Sequence, residues 1–202
     1  MHQISVSAGG VPKRPVPRAR VTVAGIEGDD QNDKRHHGGP DRAVCLFSLE
    51  VIELLRAEGH PIRPGSTGEN LTIHGLDWGT LVPGTRLAIG AQDVPGGECQ
   101  PPDAQRSSPA PSPATCRSPL DACHLEVTSY TQPCSTIRGS FLGLDHRRIQ
   151  QSLHPGQSRL YARVLREGII AVGDPVRIMP PSSDTAEQGM VHREKQRAAG
   201  DE

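Results

Sequence analysis

The sequence predicts a mainly β protein, built as a small barrel-like or folded sheet with one or more peripheral helices. Its 22 glycines and 19 prolines among 202 residues are too frequent for a helical bundle and follow no collagen-like period. Short apolar segments are separated by turn signals such as Val-Pro-Gly at 82–84, a pattern typical of sheets made of short strands. A chain of this length fits one hydrophobic core.

Seven strands are predicted from short runs in which apolar residues alternate with polar or small ones. All are four to six residues long, as expected for a small folded sheet. The predicted strands span 19–23, 43–47, 71–74, 86–89, 125–130, 162–166 and 175–178.

One helix is predicted between the second and third of these strands. Ser48 is a favourable N-cap, and the apolar residues that follow it have the spacing of an amphipathic helix. Gly59 followed by Pro61 predicts where the helix stops. The helix is expected to pack on the sheet through Val51, Ile52, Leu54 and Leu55.

The segment 91–123 differs in composition from the rest of the chain. It contains seven prolines and three of the five cysteines, but almost no large apolar residues, so it is not expected to bury a core. Leu87 and Ile89 before it, and Leu125 and Val127 after it, predict the two strands of a hairpin. The segment is therefore expected to be an insertion at the hairpin tip, where extra length is tolerated.

The tail is also poor in apolar residues, and 180–202 is expected to be disordered. The organisation predicted is one domain over 1–179, interrupted by the low-complexity insertion 91–123.

Charge and composition argue against several classes of partner. With 22 basic and 23 acidic side chains the formal net charge is -1, so no overall field attracts nucleic acid, and few aromatic residues are available for base stacking. The sequence shows neither a long apolar run nor a signal sequence, which predicts a soluble cytoplasmic protein with no membrane association. Five cysteines without a Cys-x-x-Cys pair are expected to be free thiols.

The densest polar stretch, 28–42, carries the adjacent histidines His36 and His37 and then a Gly-Gly pair. A solvated loop is one interpretation. A second is anion recognition, because Gly-Gly lets the backbone approach a ligand and Arg42 beside Asp41 offers two parallel hydrogen bonds. A third is a zinc site at the histidines, although neighbouring side chains point apart and the carboxylates lack ligand spacing.

The segment 65–72, Gly-Ser-Thr-Gly-Glu-Asn-Leu-Thr, predicts a turn that leads into a strand. Gly65 and Gly68 are expected to supply positive φ angles. The functional alternative places Glu69 and Asn70 at the mouth of a site as hydrogen-bonding groups. The segment lacks the lysine and the following helix of a P-loop, which argues against a nucleotide site.

Cys134 follows Pro133, which is expected to end the preceding strand and to present the thiol at its tip. A single cysteine is commonly a small buried apolar residue, whereas Arg138 nearby, or a bound metal, would favour the thiolate. Cys45, inside the apolar run 43–47, is interpreted as structural.

Four cations lie close together near the N-terminus: Lys13, Arg14, Arg18 and Arg20. Such a stretch is usually exposed to solvent. A second interpretation assigns Lys13 to a site for an anionic ligand.

Taken in order, these segments resemble the MOSC domain, the C-terminal domain of molybdenum-cofactor sulfurases, which also occurs as stand-alone bacterial proteins. The matching residues are Gly-Ile-Glu-Gly-Asp-x-Gln-x-Asp at 25–33, His-Gly-Gly-Pro-Asp-Arg-Ala-Val at 37–44, Gly-Glu-Asn-Leu-Thr at 68–72 and Pro-Cys at 133–134. The resemblance covers most of 4–178 apart from the insertion.

This resemblance implies a strand-rich, barrel-like fold that binds the molybdenum cofactor (Mo-molybdopterin), with Cys134 as a thiolate ligand of molybdenum. It also implies that Lys13 meets the cofactor phosphate and that a further set of residues contacts the pterin or the substrate. That set is His37, Asp41, Arg42, Glu69 and Asn70.

The resemblance further implies a reaction. Stand-alone relatives resemble reductases of N-hydroxylated small molecules, including hydroxylaminopurines, which take electrons from a separate electron-donor protein. Three alternatives stay open: a sulfur carrier that holds a persulfide on Cys134, a module that binds or carries the cofactor without turnover, and a folded but inactive relative.

Overall fold

A computed structural model of the chain describes residues 1–30, 39–90 and 122–180. Short strands are the main regular structure of these residues, and a single α-helix, α1 (Leu49–Ala57), lies within the described ranges. The strands are β1 (Gln3–Val6), β2 (Arg14–Val16), β3 (Arg18–Thr22), β4 (Gly25–Ile26), β5 (Val44–Ser48), β6 (Leu71–Ile73), β7 (Arg86–Ile89), β8 (Cys123–Tyr130), β9 (Leu160–Arg166), β10 (Gly168–Ala171) and β11 (Val176–Ile178).

The described strands form two sheets. The larger has eight strands in the order β11-β7-β8-β9-β5-β6-β1-β2, and the smaller has three in the order β10-β3-β4. All pairings are antiparallel except β5 with β6, which run parallel because α1 and the chain after it connect them. The prediction of a mainly β, barrel-like fold is confirmed, and the larger sheet ends in the edge strands β11 and β2 rather than closing on itself.

All seven predicted strands are present, with ends that differ by at most two residues, and β7 has the predicted limits. The strands β1, β2, β4 and β10 were not predicted. They have two to four residues each, and β2 contains a proline that only an edge strand accepts.

The predicted helix is confirmed as α1. The Ser48 hydroxyl accepts a hydrogen bond from the backbone N–H of Val51 at 3.3 Å, as an N-cap does. Gly59 follows the helix with a φ of 92°, a conformation that glycine adopts without strain. Ile52 and Leu55 are fully buried, whereas Leu54, which was expected to face the sheet, is 45% exposed.

The predicted hairpin is also confirmed, because β7 and β8 pair in antiparallel register with Leu87 opposite Leu125. Ile89 lies opposite Cys123, so β8 begins two residues before the predicted start and includes a cysteine that the sequence analysis assigned to the insertion. The rest of the predicted insertion, 91–121, and the predicted tail from 181 onward lie outside the described residues.

A hydrophobic core lies between the sheets and α1. Its largest fully buried side chains include Phe47, Phe141, Ile4 and Leu46. None of the helices in the described ranges has the length and apolar character needed to span a membrane.

Candidate functional site

A cavity of about 680 Å³ opens where the ends of several strands meet. Its wall combines the N-terminal segment before β2, the turn before β6, the end of β8 with the chain after it, and the start of β9. Its lining includes Val11, Lys13, Asp30, Arg42, Cys45, Thr67, Gly68, Asn70, Ser129, Tyr130, Cys134, Ile137, Arg159 and Tyr161.

Cys134 lies in this wall, four residues beyond the end of β8. It is half-buried and immediately precedes a short 3₁₀ helix, Ser135–Ser140, whose Ile137 N–H donates to the Cys134 carbonyl at 3.2 Å. The strand ends at Tyr130 rather than at Pro133, so the thiol projects from the connecting segment and not from a strand tip. Arg138, the predicted neighbouring cation, is exposed and is absent from the described lining of the cavity.

The turn before β6 forms as predicted, with φ angles of 83° at both Gly65 and Gly68. The Lys13 N–H donates to the Gly65 carbonyl at 2.9 Å, so the turn is held against the N-terminal segment. A Cβ atom at Gly65 would lie 2.6 Å from the Lys13 carbonyl oxygen, which only glycine avoids.

Glu69 is completely buried beneath this turn. Its carboxylate accepts hydrogen bonds from the Gly65 N–H at 2.6 Å, the Thr67 N–H at 3.3 Å and the Thr67 hydroxyl at 2.7 Å. This corrects the expectation that Glu69 lies at the mouth of the site. The buried N–H groups of a tight turn need an acceptor, and the carboxylate supplies it.

Asn70 lines the cavity, but its amide is engaged within the protein. Its Nδ2 donates to Asp29 Oδ2 at 2.8 Å and to the Ser5 carbonyl at 3.3 Å, and its Oδ1 accepts from the Cys45 N–H at 3.1 Å. Since both amide hydrogens are used, Asn70 joins β5 to the N-terminal segment and fixes the shape of the wall.

Lys13 also lines the cavity, and its ammonium lies 2.5 Å from Asp29 Oδ2. The other Asp29 oxygen accepts from the Ser7 N–H at 2.9 Å. The charge of Lys13, which was expected to meet an anionic ligand, is therefore offset by a carboxylate of the protein itself.

Of the residues predicted in the 28–42 stretch, Arg42 lines the cavity, with its guanidinium carbon 5.7 Å from the centre of the Tyr161 ring. Asp41 instead faces a neighbouring polar groove, where its carboxylate lies 3.5 Å from Arg163. Its side chain is 69% exposed. His37 lies outside the described residues.

Arg159 is a cavity residue that the sequence analysis missed. It is only 5% exposed, and its Nη1 donates to the Thr67 carbonyl. Its Nε is buried and has no hydrogen-bond partner within residues 1–30, 39–90 and 122–180. The only signal in the sequence was a cation within a few residues of a predicted apolar strand, which does not separate a buried arginine from an exposed one.

Two proton-bearing side chains lie side by side in the cavity wall, because Cys45 on β5 and Tyr161 on β9 are cross-strand partners. Burial raises the pKa of Tyr161 to about 12, and burial also raises the pKa of the Cys45 thiol. Both groups therefore keep their protons at neutral pH, and the Tyr161 hydroxyl can donate a hydrogen bond to a ligand.

The sequence matches a known protein family. The sequence model of the MOSC domain matches residues 33–177, which is more than half of the chain. The chain belongs to the MOSC domain family. Cys134 and Arg159 lie within the matched part of the MOSC domain, and Lys13 precedes it.

The MOSC domain described here is similar to two curated bacterial proteins. It is 29% identical to the uncharacterized protein YflK of Bacillus subtilis over 168 residues, which cover 81% of this chain and 60% of YflK. It is 42% identical to YiiM of Escherichia coli over 62 residues, which cover 28% of this chain and 27% of YiiM. The chain thus spans less than two thirds of the length of either relative.

Solved structures share the fold. The crystal structure of YiiM from Geobacillus stearothermophilus has a TM-score of 0.58 at 23% identity, covering 88% of this chain and 73% of that one. The crystal structure of YiiM from Escherichia coli has a TM-score of 0.55 at 20% identity, covering 90% of this chain and 69% of that one. The predicted membership of the MOSC domain family is confirmed by the match over residues 33–177, and these solved structures show the same fold.

Proposed function

We propose that this MOSC domain binds the molybdenum cofactor in the cavity, with the Cys134 thiolate as a ligand of molybdenum, and that it reduces N-hydroxylated small molecules. The observation that carries the proposal is the position of Cys134. It is the one half-buried cysteine among the described residues, and it lines the cavity together with the cations Lys13, Arg42 and Arg159.

The residues present fit such a group. A thiolate is the soft ligand that molybdenum accepts beside other sulfur ligands. The cavity of about 680 Å³ lies within the range of volumes that hold small ligands and cofactors. Arg159 adds a buried cation to the lining, and its Nε has no hydrogen-bond partner among the described residues.

Bound there, the cofactor would supply a two-electron redox centre. The net reaction consumes two electrons and two protons, cleaves the N–O bond of R–NHOH, and releases R–NH₂ and water. We assign the electrons to a separate redox protein.

The remaining tasks fall to side chains of this chain. Tyr161, protonated at neutral pH, would donate a hydrogen bond to the oxygen that leaves the substrate. Arg42 would hold polar groups of the ligand at the wall it shares with Tyr161. Asn70 and Glu69 would hold the wall in shape from within.

The test is the molybdenum and pterin content of protein purified from a host that makes the cofactor. Wild-type protein should carry molybdenum near one atom per chain, and Cys134→Ser should lose most of it. Cys123→Ala, a change in a buried cysteine of β8, serves as the matched control and should keep the metal. A folded wild-type protein without metal or pterin would contradict the proposal.

A second measurement tests turnover. Metal-loaded protein with reduced methyl viologen should convert 6-hydroxylaminopurine to adenine, whereas Cys134→Ser should not. If the protein instead accepts sulfur on Cys134 from a cysteine desulfurase without any molybdenum, and shows no reduction when fully loaded, it is a sulfur carrier and the reductase proposal is wrong.

A further inference from the structure

We infer that Arg159 forms a phosphate-binding subsite in the cavity wall. Only the identity of the molecule that carries the phosphate depends on the proposed function. The evidence for the subsite is the environment of the guanidinium, which can be tested without molybdenum and without Cys134.

The guanidinium is a buried cation, and no carboxylate of the described residues is in ion-pair contact with it. Arg159 is 5% exposed, and none of its interactions with the described residues is with a carboxylate. Removing a charge from water costs several kcal/mol unless a partner compensates it. A bound anion is the partner that this position lacks.

Lys13 shows the contrast within the same cavity. Its ammonium lies 2.5 Å from Asp29, and both side chains are less than a tenth exposed, so this pair is neutral overall. The Lys13 position is therefore satisfied without a ligand, whereas the Arg159 position is not. An anion entering the cavity gains more from Arg159 than from Lys13.

The hydrogen bonds of Arg159 indicate the same chemistry. Its Nη1 is fixed by the Thr67 carbonyl in the turn that Glu69 holds from below, so the guanidinium is oriented in advance. Its Nε–H is buried and has no acceptor in the part of the chain that the structure describes. Phosphate oxygens are suited to this site because a guanidinium binds them through two parallel N–H groups.

Two molecules could bring the phosphate: the pterin cofactor, through its terminal phosphate, and a nucleotide substrate that carries an N-hydroxylated base. Both molecules would place phosphate oxygens against the Arg159 guanidinium. We therefore assign a phosphate subsite and distinguish the two molecules by experiment.

The primary test measures binding of inorganic phosphate to the full chain purified without cofactor, by thermal unfolding and calorimetry. Wild-type protein should show a midpoint that rises with phosphate, and Arg159→Gln should bind phosphate about tenfold or more weakly, because a charge-assisted hydrogen bond is lost. Arg147→Gln, a change in an exposed arginine, should respond as wild type does.

Two further variants keep the test decisive if Arg159→Gln does not fold. Arg159→Met keeps the length of the side chain without its charge and should lose the response. Arg159→Lys keeps the charge and should retain a reduced response. Equal phosphate affinity in wild type and in a folded Gln or Met variant would overturn the inference, as would a wild-type protein that binds no phosphate.

The source is separated in a cofactor-producing host. If the pterin phosphate is bound here, Arg159→Gln should purify with less pterin than wild type. If a nucleotide is bound, pterin content should stay equal, and KM should rise for the nucleotide but not for the free base. If wild-type protein binds phosphate but Cys134→Ser keeps all of its molybdenum, the subsite is supported and the proposed function is contradicted.

Discussion

The ammonium of Lys13 lies 2.5 Å from the carboxylate of Asp29, and their side chains are 8% and 5% exposed. Breaking a buried ion pair leaves one charge without compensation. Asp29→Asn should therefore destabilise the protein by roughly 3–5 kcal/mol. Urea unfolding at neutral pH measures the loss.

The double variant Lys13→Met with Asp29→Asn is the control for this pair. Removing both charges should restore part of the stability that Asp29→Asn loses, because no unpaired charge stays buried. Additive losses in the double variant would show that the two side chains are not coupled.

The close approach of Gly65 to Lys13 predicts an effect that Gly84 should not share. Both glycines have positive φ angles, 83° and 94°, so an alanine at either position is strained by roughly 1–2 kcal/mol. Only at Gly65 would the new Cβ meet a backbone oxygen, at 2.6 Å, while nothing lies within 4 Å at Gly84. Gly65→Ala should lower the urea midpoint clearly more than Gly84→Ala, and equal losses would argue against the close approach.

The cysteines of the described residues should differ in reactivity. Thiolate is the form that reacts with iodoacetamide, and burial raises the pKa of Cys123 to about 12, so on the order of one in ten thousand of its thiols is ionised at pH 8. Cys45 is also buried with a raised pKa, whereas Cys134 is half-buried. Peptide mass spectrometry should find Cys134 labelled first.

Labelling in 8 M urea is the control, since all three cysteines should then react alike. Labelling of Cys45 or Cys123 in the folded protein at the rate of Cys134 would contradict the burial of these two thiols.

Glu126 predicts a pH dependence of stability. Burial alone would raise its pKa, but hydrogen bonds from Arg86 at 2.9 Å and Arg163 at 2.5 Å outweigh burial and hold the pKa of this carboxyl below its ordinary value of 4.5. The stabilisation is therefore complete above about pH 4.5 and is lost as the pH falls through the lower pKa of the folded state.

Glu126→Gln should cost about 1 kcal/mol at pH 7, because both arginines are partly exposed. The difference from wild type should shrink below about pH 4.5, as measured by urea unfolding from pH 7 to pH 3. Glu53→Gln, on the exposed face of α1, should show little loss at any pH. A difference for Glu126→Gln that stays constant down to pH 3 would contradict the role of the carboxylate charge.

The elements that local chemistry encodes were predictable from the sequence. Ser48 caps α1 through a residue three positions away, and the β7–β8 hairpin follows from alternating residues in each strand. The strands β2 and β10 were not predictable because each is short and is completed by a partner elsewhere, β1 and β3 respectively.

The division of roles among the site residues was less accessible. Lys13 and Arg159 are both cations near apolar segments, and the sequence does not say which of them has a counter-ion. That difference arises from contacts across the fold: Asp29 is 16 residues from Lys13, and Thr67 is 92 residues from Arg159. Glu69 was predicted as a site residue. Its burial beneath the turn could not be predicted, because it depends on how the turn brings the N–H groups of Gly65 and Thr67 to the carboxylate.

The pairing of Ile89 with Cys123 has a consequence for how this chain tolerates variation in length. Because β8 is held by β7 on one side and by β9 on the other, the residues between 90 and 122 begin and end at neighbouring points of the sheet. Lengthening such a connection from about four residues to about thirty costs only roughly 2 kcal/mol of loop-closure entropy. Cys134 lies beyond the opposite end of β8, after Tyr130, so we expect a change in the length of this connection to leave the geometry of the cavity unaltered.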